Sequence, residues 1–141
     1  SYEKSLVVRT SGVFSASKQN FPMLAAESLR KGKEVKAVYD MYYSPIHASV
    51  LARAMVELIG RRTLGIVHVA GERISRYDLA LKIADAIGAD RGLVVPVTRN
   101  QMAWKARRPA DSSLDSSKAR SLVGFDFQDV DRGIRLLLEG L

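Results

Sequence analysis

Arg107-Arg108-Pro109-Ala110-Asp111 puts two guanidiniums and a carboxylate on one proline-stiffened stretch. Forked guanidinium donors match the oxygens of an anion such as a diphosphate, and a carboxylate can accept from a sugar or ribose hydroxyl. The same residues read equally well as a solvated basic loop in which Asp111 pairs locally. Upstream, Arg9-Thr10-Ser11-Gly12-Val13-Phe14 follows a short apolar run, Leu6-Val7-Val8. Ligands of open parallel sheets bind beyond the carboxyl ends of strands, where Ser11 would offer a hydroxyl and Phe14 an apolar wall. Taken alone, these residues are more simply a strand exit in which Ser and Gly make a turn. Tyr39, Tyr42 and Tyr43 share one loop and either line a pocket or pack beneath the next helix. Trp104 reads as a core or domain-packing residue rather than a stacking platform. His47 and His68 are the two histidines and there is no cysteine. Neither histidine has a carboxylate at ligand spacing, so no metal site is expected, and His68, alternating with apolar residues, reads as structural. No nucleophile elbow, phosphate loop or paired catalytic carboxylates appear.

The elements that must position these groups alternate between apolar runs and helical stripes. A continuous run at 6–8 suits a parallel strand covered on both faces. Asn20 before Phe21-Pro22 marks a helix start, Met23, Leu24, Ala26 and Leu29 form its stripe, and Gly32 caps it. A strand follows over 35–39, then a loop over 40–45. A second helix over 48–59 would bury Leu51, Ala54, Met55 and Leu58, ending at Gly60. Another strand spans 66–70, closed by Gly71, and Ser75 with Asp78 forms a capping box for a helix burying Leu79, Ala80, Ile83, Ala84 and Ile87 up to Gly88. A fourth strand covers 93–97, and 98–113 is polar and irregular, with one helical turn around 102–105. Asp115 caps a short helix running to Val123, and a last helix after Asp126 buries Val130, Ile134, Leu137 and Leu138. This alternation, with no internal repeat, predicts an α/β architecture. A first strand this apolar calls for neighbours on both sides, so the 141 residues are read as one unit, the rear part of a longer chain.

Composition narrows the function classes. A hydrophobic share of 47% with 26% charged residues suits an ordinary globular domain, and no apolar run is long enough to span a bilayer. The absence of cysteine excludes disulfides and thiolate metal sites and suits a cytoplasmic protein. A net charge of +7 favours anionic partners, either nucleic acid or a nucleotide-linked small molecule. The basic residues are scattered rather than gathered in a stripe with interleaved aromatics, which disfavours nucleic acid.

Taken together, the motifs resemble the dTDP-4-dehydrorhamnose reductases of the extended short-chain dehydrogenase/reductase superfamily. The segment from Arg9 to Phe14 is similar to Arg-Thr-Ser-Trp-Val-Tyr of that family, and Asn20-Phe21 with Met23-Leu24 resembles its next helix start. Asp40-Met41-Tyr42-Tyr43-Ser44-Pro45-Ile46 is similar to Asp-Gln-x-Gly-x-Pro-Thr, and Leu51-Ala52-Arg53-Ala54 continues the match. Gly65-Ile66-Val67-His68-Val69-Ala70-Gly71 resembles Gly-Ile-Tyr-His-Leu-Ala-Gly, with Ser75-Arg76-Tyr77-Asp78-Leu79-Ala80 in register behind it. Arg108-Pro109-Ala110-Asp111-Ser112-Ser113-Leu114-Asp115-Ser116-Ser117-Lys118 resembles Arg-Pro-x-x-Ser-x-Leu-Asp-x-Ser-Lys. The resemblance covers nearly the whole chain, in order.

It implies the C-terminal strands of a Rossmann-like parallel sheet plus a small substrate-binding lobe, from a protein that reduces a 4-keto nucleotide-diphosphate sugar with NADP or NAD. It places Thr10 and Ser11 beside the nicotinamide. Ser11, Gly12, Phe14, Asn20, Arg108 and Asp111 would bind the substrate, the last two at the diphosphate and a hydroxyl. No catalytic residue falls in this chain, because the family's Tyr-x-x-x-Lys pair, which supplies the proton, belongs upstream of Leu6, and Tyr2 and Lys4 lack its spacing. The chain alone is therefore expected to be inactive, to need its N-terminal half as partner, and to self-associate through the uncovered first strand. Three departures put the sugar in doubt: Gly12 stands where the family has tryptophan, Tyr43 where it has glycine, and Ile46 where it has threonine. They keep open a nucleotide-sugar epimerase or dehydratase of the same superfamily. A regulatory subunit of reductase-like fold, of the methionine adenosyltransferase type, is the non-enzymatic alternative.

Overall fold

The computed structural model describes residues 4–141 except Ala103, Lys105 and Arg107. Its strands pair two by two. β1 (Leu6–Arg9) lies parallel to β6 (Gly65–His68), with Val7 beside Ile66 and Val8 beside Val67. β3 (Val35–Val38) lies parallel to β8 (Val94–Val97), and the two-residue β2 (Val13–Phe14) lies parallel to β5 (Ile46–His47). β4 (Tyr42–Tyr43) runs antiparallel to β7 (Ile74–Ser75) inside segments expected to be irregular. Parallel pairs joined through helices give the α/β class expected from the alternation.

Among the described residues, five α-helices cover these pairs. α1 (Phe21–Arg30) starts at Asn20, whose Oδ1 accepts from the Met23 N–H at 2.9 Å. Its inner face is Pro22, Ala25, Ala26 and Leu29, so Leu24, expected inside, lies exposed. α2 (Ala48–Gly60) buries Val50, Ala54 and Leu58, one residue every turn, and Met55, also expected inside, faces out. α3 (Arg76–Ile87) is capped by Ser75 Oγ, which accepts from the Asp78 N–H at 3.1 Å, and stops at Gly88 with φ +71°. α4 (Ser117–Leu122) begins two residues after Asp115, which accepts from the Ser117 N–H at 2.9 Å as a turn rather than as the N-cap. α5 (Val130–Glu139) is capped by Asp129, and Leu138 is only partly buried there. The helical turn expected around 102–105 falls partly outside the described residues, and a 3-10 turn is formed earlier, over Arg99–Gln101.

Two cores result. One gathers Ala26, Leu29, Ala37, Leu79, Ile83, Val94, Val130 and Ile134 between α1, α3, α5 and the β3–β8 pair. The other gathers Ile46, Ala54, Leu58, Val67, Val69, Ala119 and Phe127 between α2, α4 and β6. Leu6 and Val8 pack on this second core, while Val7 and Ile66, neighbours in register, are each 37% exposed. Within this chain the first strand pair is thus covered on one face, where its composition called for two.

Candidate functional site

The carboxyl end of β1 opens into a cavity of about 470 Å³ lined by Ser11, Gly12, Met41, Tyr42, Tyr43, Arg76, Arg108, Pro109 and Ser112. Four separate segments meet there, and Ser11 and the buried Ser44 tie them together. Ser11 Oγ accepts from the Ser44 N–H and donates to the Ser112 carbonyl, both at 3.3 Å. The fully buried Ser44 accepts at Oγ from the Leu114 N–H at 3.2 Å, and its carbonyl accepts from the Gly71 N–H at 3.1 Å. Gly71 is required there, since a Cβ would sit 1.8 Å from the Pro45 carbonyl oxygen. The Tyr42 N–H donates to the Ala110 carbonyl at 2.8 Å and the Ser112 N–H donates to the Tyr42 carbonyl at 2.9 Å, a parallel bridge that holds the segment carrying Arg108 along the edge of β4.

Electrostatics in the cavity are one-sided. Arg108 stacks over the Trp104 ring, 4.4 Å from its centroid, so Trp104 is a platform after all, contrary to the packing role expected of it. Arg76 lies 5.0 Å over the Phe21 ring. Among the described residues no carboxylate pairs with either guanidinium. Burial, and then the nearby Arg108, push the Arg76 pKa down, partly opposed by Tyr43. Tyr43 has its hydroxyl buried without a hydrogen-bond partner, and burial drives its pKa well above the ordinary phenol value. A pocket with two uncompensated guanidiniums and donor hydroxyls is suited to an oxyanion.

The sequence-derived candidates separate here. Ser11, Gly12 and Arg108 share the cavity. Thr10 is exposed beside Ser11 at the end of β1 but does not line the cavity. Phe14, 3% exposed, turns away from it and meets the His47 ring edge-on at 5.5 Å, so it is core rather than pocket wall. Asn20 is consumed by its cap: besides accepting from Met23, its Nδ2 donates to the Ser15 and Lys18 carbonyls at 2.7 and 2.6 Å. Asp111 pairs locally, accepting from Arg73 Nε at 2.9 Å and from the Ser113 N–H at 2.9 Å. The Ser113 hydroxyl and N–H, then Arg73, pull its exposed carboxyl down to about 2. With its oxygens so engaged it is not poised for a sugar hydroxyl, and Arg73 in turn stacks 3.8 Å over Tyr42. Arg107 lies outside the described residues. Arg76 and Ser44 went unrecognised as site residues: one looks like a surface cation at a helix start, the other like a loop serine, and only the chain's closure reveals them.

Residues 1–141 match the family described as RmlD substrate binding domain. A dTDP-4-dehydrorhamnose reductase of Aggregatibacter actinomycetemcomitans is 30% identical over 94% of this chain and 49% of its own length. A crystal structure of a hypothetical dTDP-4-dehydrorhamnose reductase from Sulfolobus tokodaii is 48% identical with a TM-score of 0.79, covering 89% of this chain and 44% of that one. The Bacillus anthracis dTDP-4-dehydrorhamnose reductase, solved in complex with NADP, shares the fold at a TM-score of 0.83 and 24% identity, over 95% of this chain and 48% of that one. The chain thus spans less than half the length of each of these relatives. It belongs to the RmlD substrate binding domain family.

Proposed function

We propose that this chain is the substrate-gripping part of an NAD(P)H-dependent reductase of 4-keto nucleotide sugars, acting in the cytoplasm. The carrying observation is the shared cavity of Ser11, Gly12 and Arg108 at the carboxyl end of β1, with guanidiniums that no carboxylate neutralises among the described residues. Arg108, placed over the Trp104 ring, would donate its fork to the diphosphate, and Ser11 with the Gly12 backbone would border the sugar. The Aggregatibacter relative, named a dTDP-4-dehydrorhamnose reductase, supports dTDP-linked 4-keto sugars as the substrate class.

The nicotinamide would supply hydride at the carbonyl carbon, with Thr10 and Ser11 at its edge. The described residues fit that end of the cofactor only. The N-termini of α1, α2 and α3 are each closed by a side-chain cap, from Asn20, His47 and Ser75, so none of these three is open for a dinucleotide pyrophosphate. The pyrophosphate site, the proton-donating tyrosine and its lysine are accordingly assigned to the half of the relatives that this chain does not match. The chain by itself is then inactive. Its exposed Val7 and Ile66 would be covered by that other half or, in isolation, by a second copy. Concentration-independent monomers in sedimentation would count against the second-copy contact.

A nucleotide-sugar epimerase or dehydratase is the alternative, favoured by Tyr43 standing directly against Gly12, which rebuilds the sugar wall. A substrate panel on the full-length protein separates the two. For the main reading, calorimetric titration of the full-length protein with dTDP-glucose should show binding that Arg108→Ala weakens at least roughly tenfold, as loss of a charge-assisted pair requires. Unchanged affinity would refute it.

A further inference from the structure

Arg76 occupies a position that electrostatics disfavours in the free chain. As the first residue of α3 it sits at the end of the helix where the dipole opposes a cation. Its side chain is half-buried and stacks on Phe21, while Arg108 adds like-charge repulsion. No described carboxylate lies within ion-pair distance. Within the same electrostatic neighbourhood, Tyr43 keeps a buried hydroxyl without an acceptor. Both residues line the cavity that also holds Arg108. Arg76 is thus a cation that no described carboxylate pairs, facing the same cavity as Arg108, which points to an anionic acceptor brought by a ligand.

We propose that Arg76 is a second grip on the diphosphate of the bound ligand, complementing Arg108. The inference rests on the nucleotide-sugar reading of the cavity and assigns to it a residue for which neither composition nor motif gave a role. Its basis is the pairing of two guanidiniums with two phosphoryl groups. Two guanidiniums that no described carboxylate pairs face one cavity, and a diphosphate offers oxygens on two phosphorus atoms. A nucleoside monophosphate carries a comparable charge but has its oxygens on one phosphorus only. Phosphoryl number thereby becomes a selectivity filter, with the distal phosphate read by Arg76.

The test is calorimetric titration of the full-length protein with dTDP and with dTMP, in the wild type, Arg76→Gln, Arg76→Met and Arg108→Ala. Arg76→Gln is expected to lower dTDP affinity roughly 10- to 100-fold while shifting dTMP affinity less than about twofold. Arg76→Met, which keeps the apolar stem over Phe21 but not the charge, is expected to lower dTDP affinity over the same range, and it keeps the question answerable should Arg76→Gln fold poorly. If dTDP affinity survives both substitutions within about twofold while Arg108→Ala abolishes it, the second grip is wrong and the cavity assignment stands. If the wild type binds neither nucleotide, the nucleotide-sugar reading falls and the second grip with it.

Discussion

Replacing Gly12 with alanine adds one methyl group where both the backbone and a neighbouring ring resist it. Gly12 has φ +57°, a left-handed conformation that costs an L-residue about 1–2 kcal/mol. A Cβ there would lie 2.6 and 2.7 Å from Cδ2 and Cε2 of Tyr43 and 3.2 Å from the Pro45 Cα. Tyr43 is packed against the α1–α3 core, so its ring cannot swing away freely, and such overpacking costs about 1–3 kcal/mol. The sum is about 2–5 kcal/mol. For a chain of 141 residues each kcal/mol moves Tm by about 3 °C, so Gly12→Ala should lower it by roughly 6–15 °C in a thermal scan. The double-mutant cycle with Tyr43→Ala isolates the ring contact. Removing the ring should restore at least about 1 kcal/mol of the Gly12→Ala loss, whereas the backbone share should persist. Additivity within about 0.5 kcal/mol would refute the claim that Tyr43 fills the space a side chain at position 12 would occupy.

Tyr43→Phe deletes an unpaired buried hydroxyl and should raise the Tm of the free protein by roughly 3–9 °C, the opposite sign to most core substitutions, measured by the same scan. Gly71→Ala would drive a Cβ into the Pro45 carbonyl and should leave the chain unfolded by circular dichroism. His47 caps α2 by accepting from the Ser49 N–H at Nδ1, and burial lowers its pKa. The unfolded chain therefore takes up that proton more readily, and denaturant stability should fall as pH drops through about 6.5, a dependence that His47→Asn, which keeps a cap acceptor, should flatten. The Asp111 carboxyl, held at about 2 by Ser113 and Arg73, contributes order to its segment above the unfolded carboxylate range, lost as pH falls from about 4 toward 2. An NMR titration of its side-chain carbon should give a midpoint well below that of a free aspartate.

What the sequence made legible was what local chemistry dictates. The strand β1 read out as an unbroken apolar run, Leu6-Val7-Val8, and the Ser75 and Gly88 caps bound α3 where expected. Ser11 and Arg108 were placed together through resemblance rather than spacing, and the cavity now holds both. The failures share one physical cause, which is that facing is set by tertiary packing. Leu24 and Met55 are apolar enough to be buried, yet small alanines at 25, 26 and 54 take the close helix contacts and turn the larger residues outward. Phe14 fills the space beside Gly133 instead of the pocket. The β4–β7 pair is two residues long on each side, too short for any periodicity to announce. Arg76 and Ser44 carry no local signal at all, because their roles exist only once distant segments meet.

A crystal structure of the full-length protein with dTDP-glucose bound tests the central claim most directly. The diphosphate should lie within hydrogen-bond distance of the Arg108 guanidinium, with the hexose against Ser11 and Gly12. A ligand seated elsewhere, touching neither Ser11 nor Arg108, would contradict it.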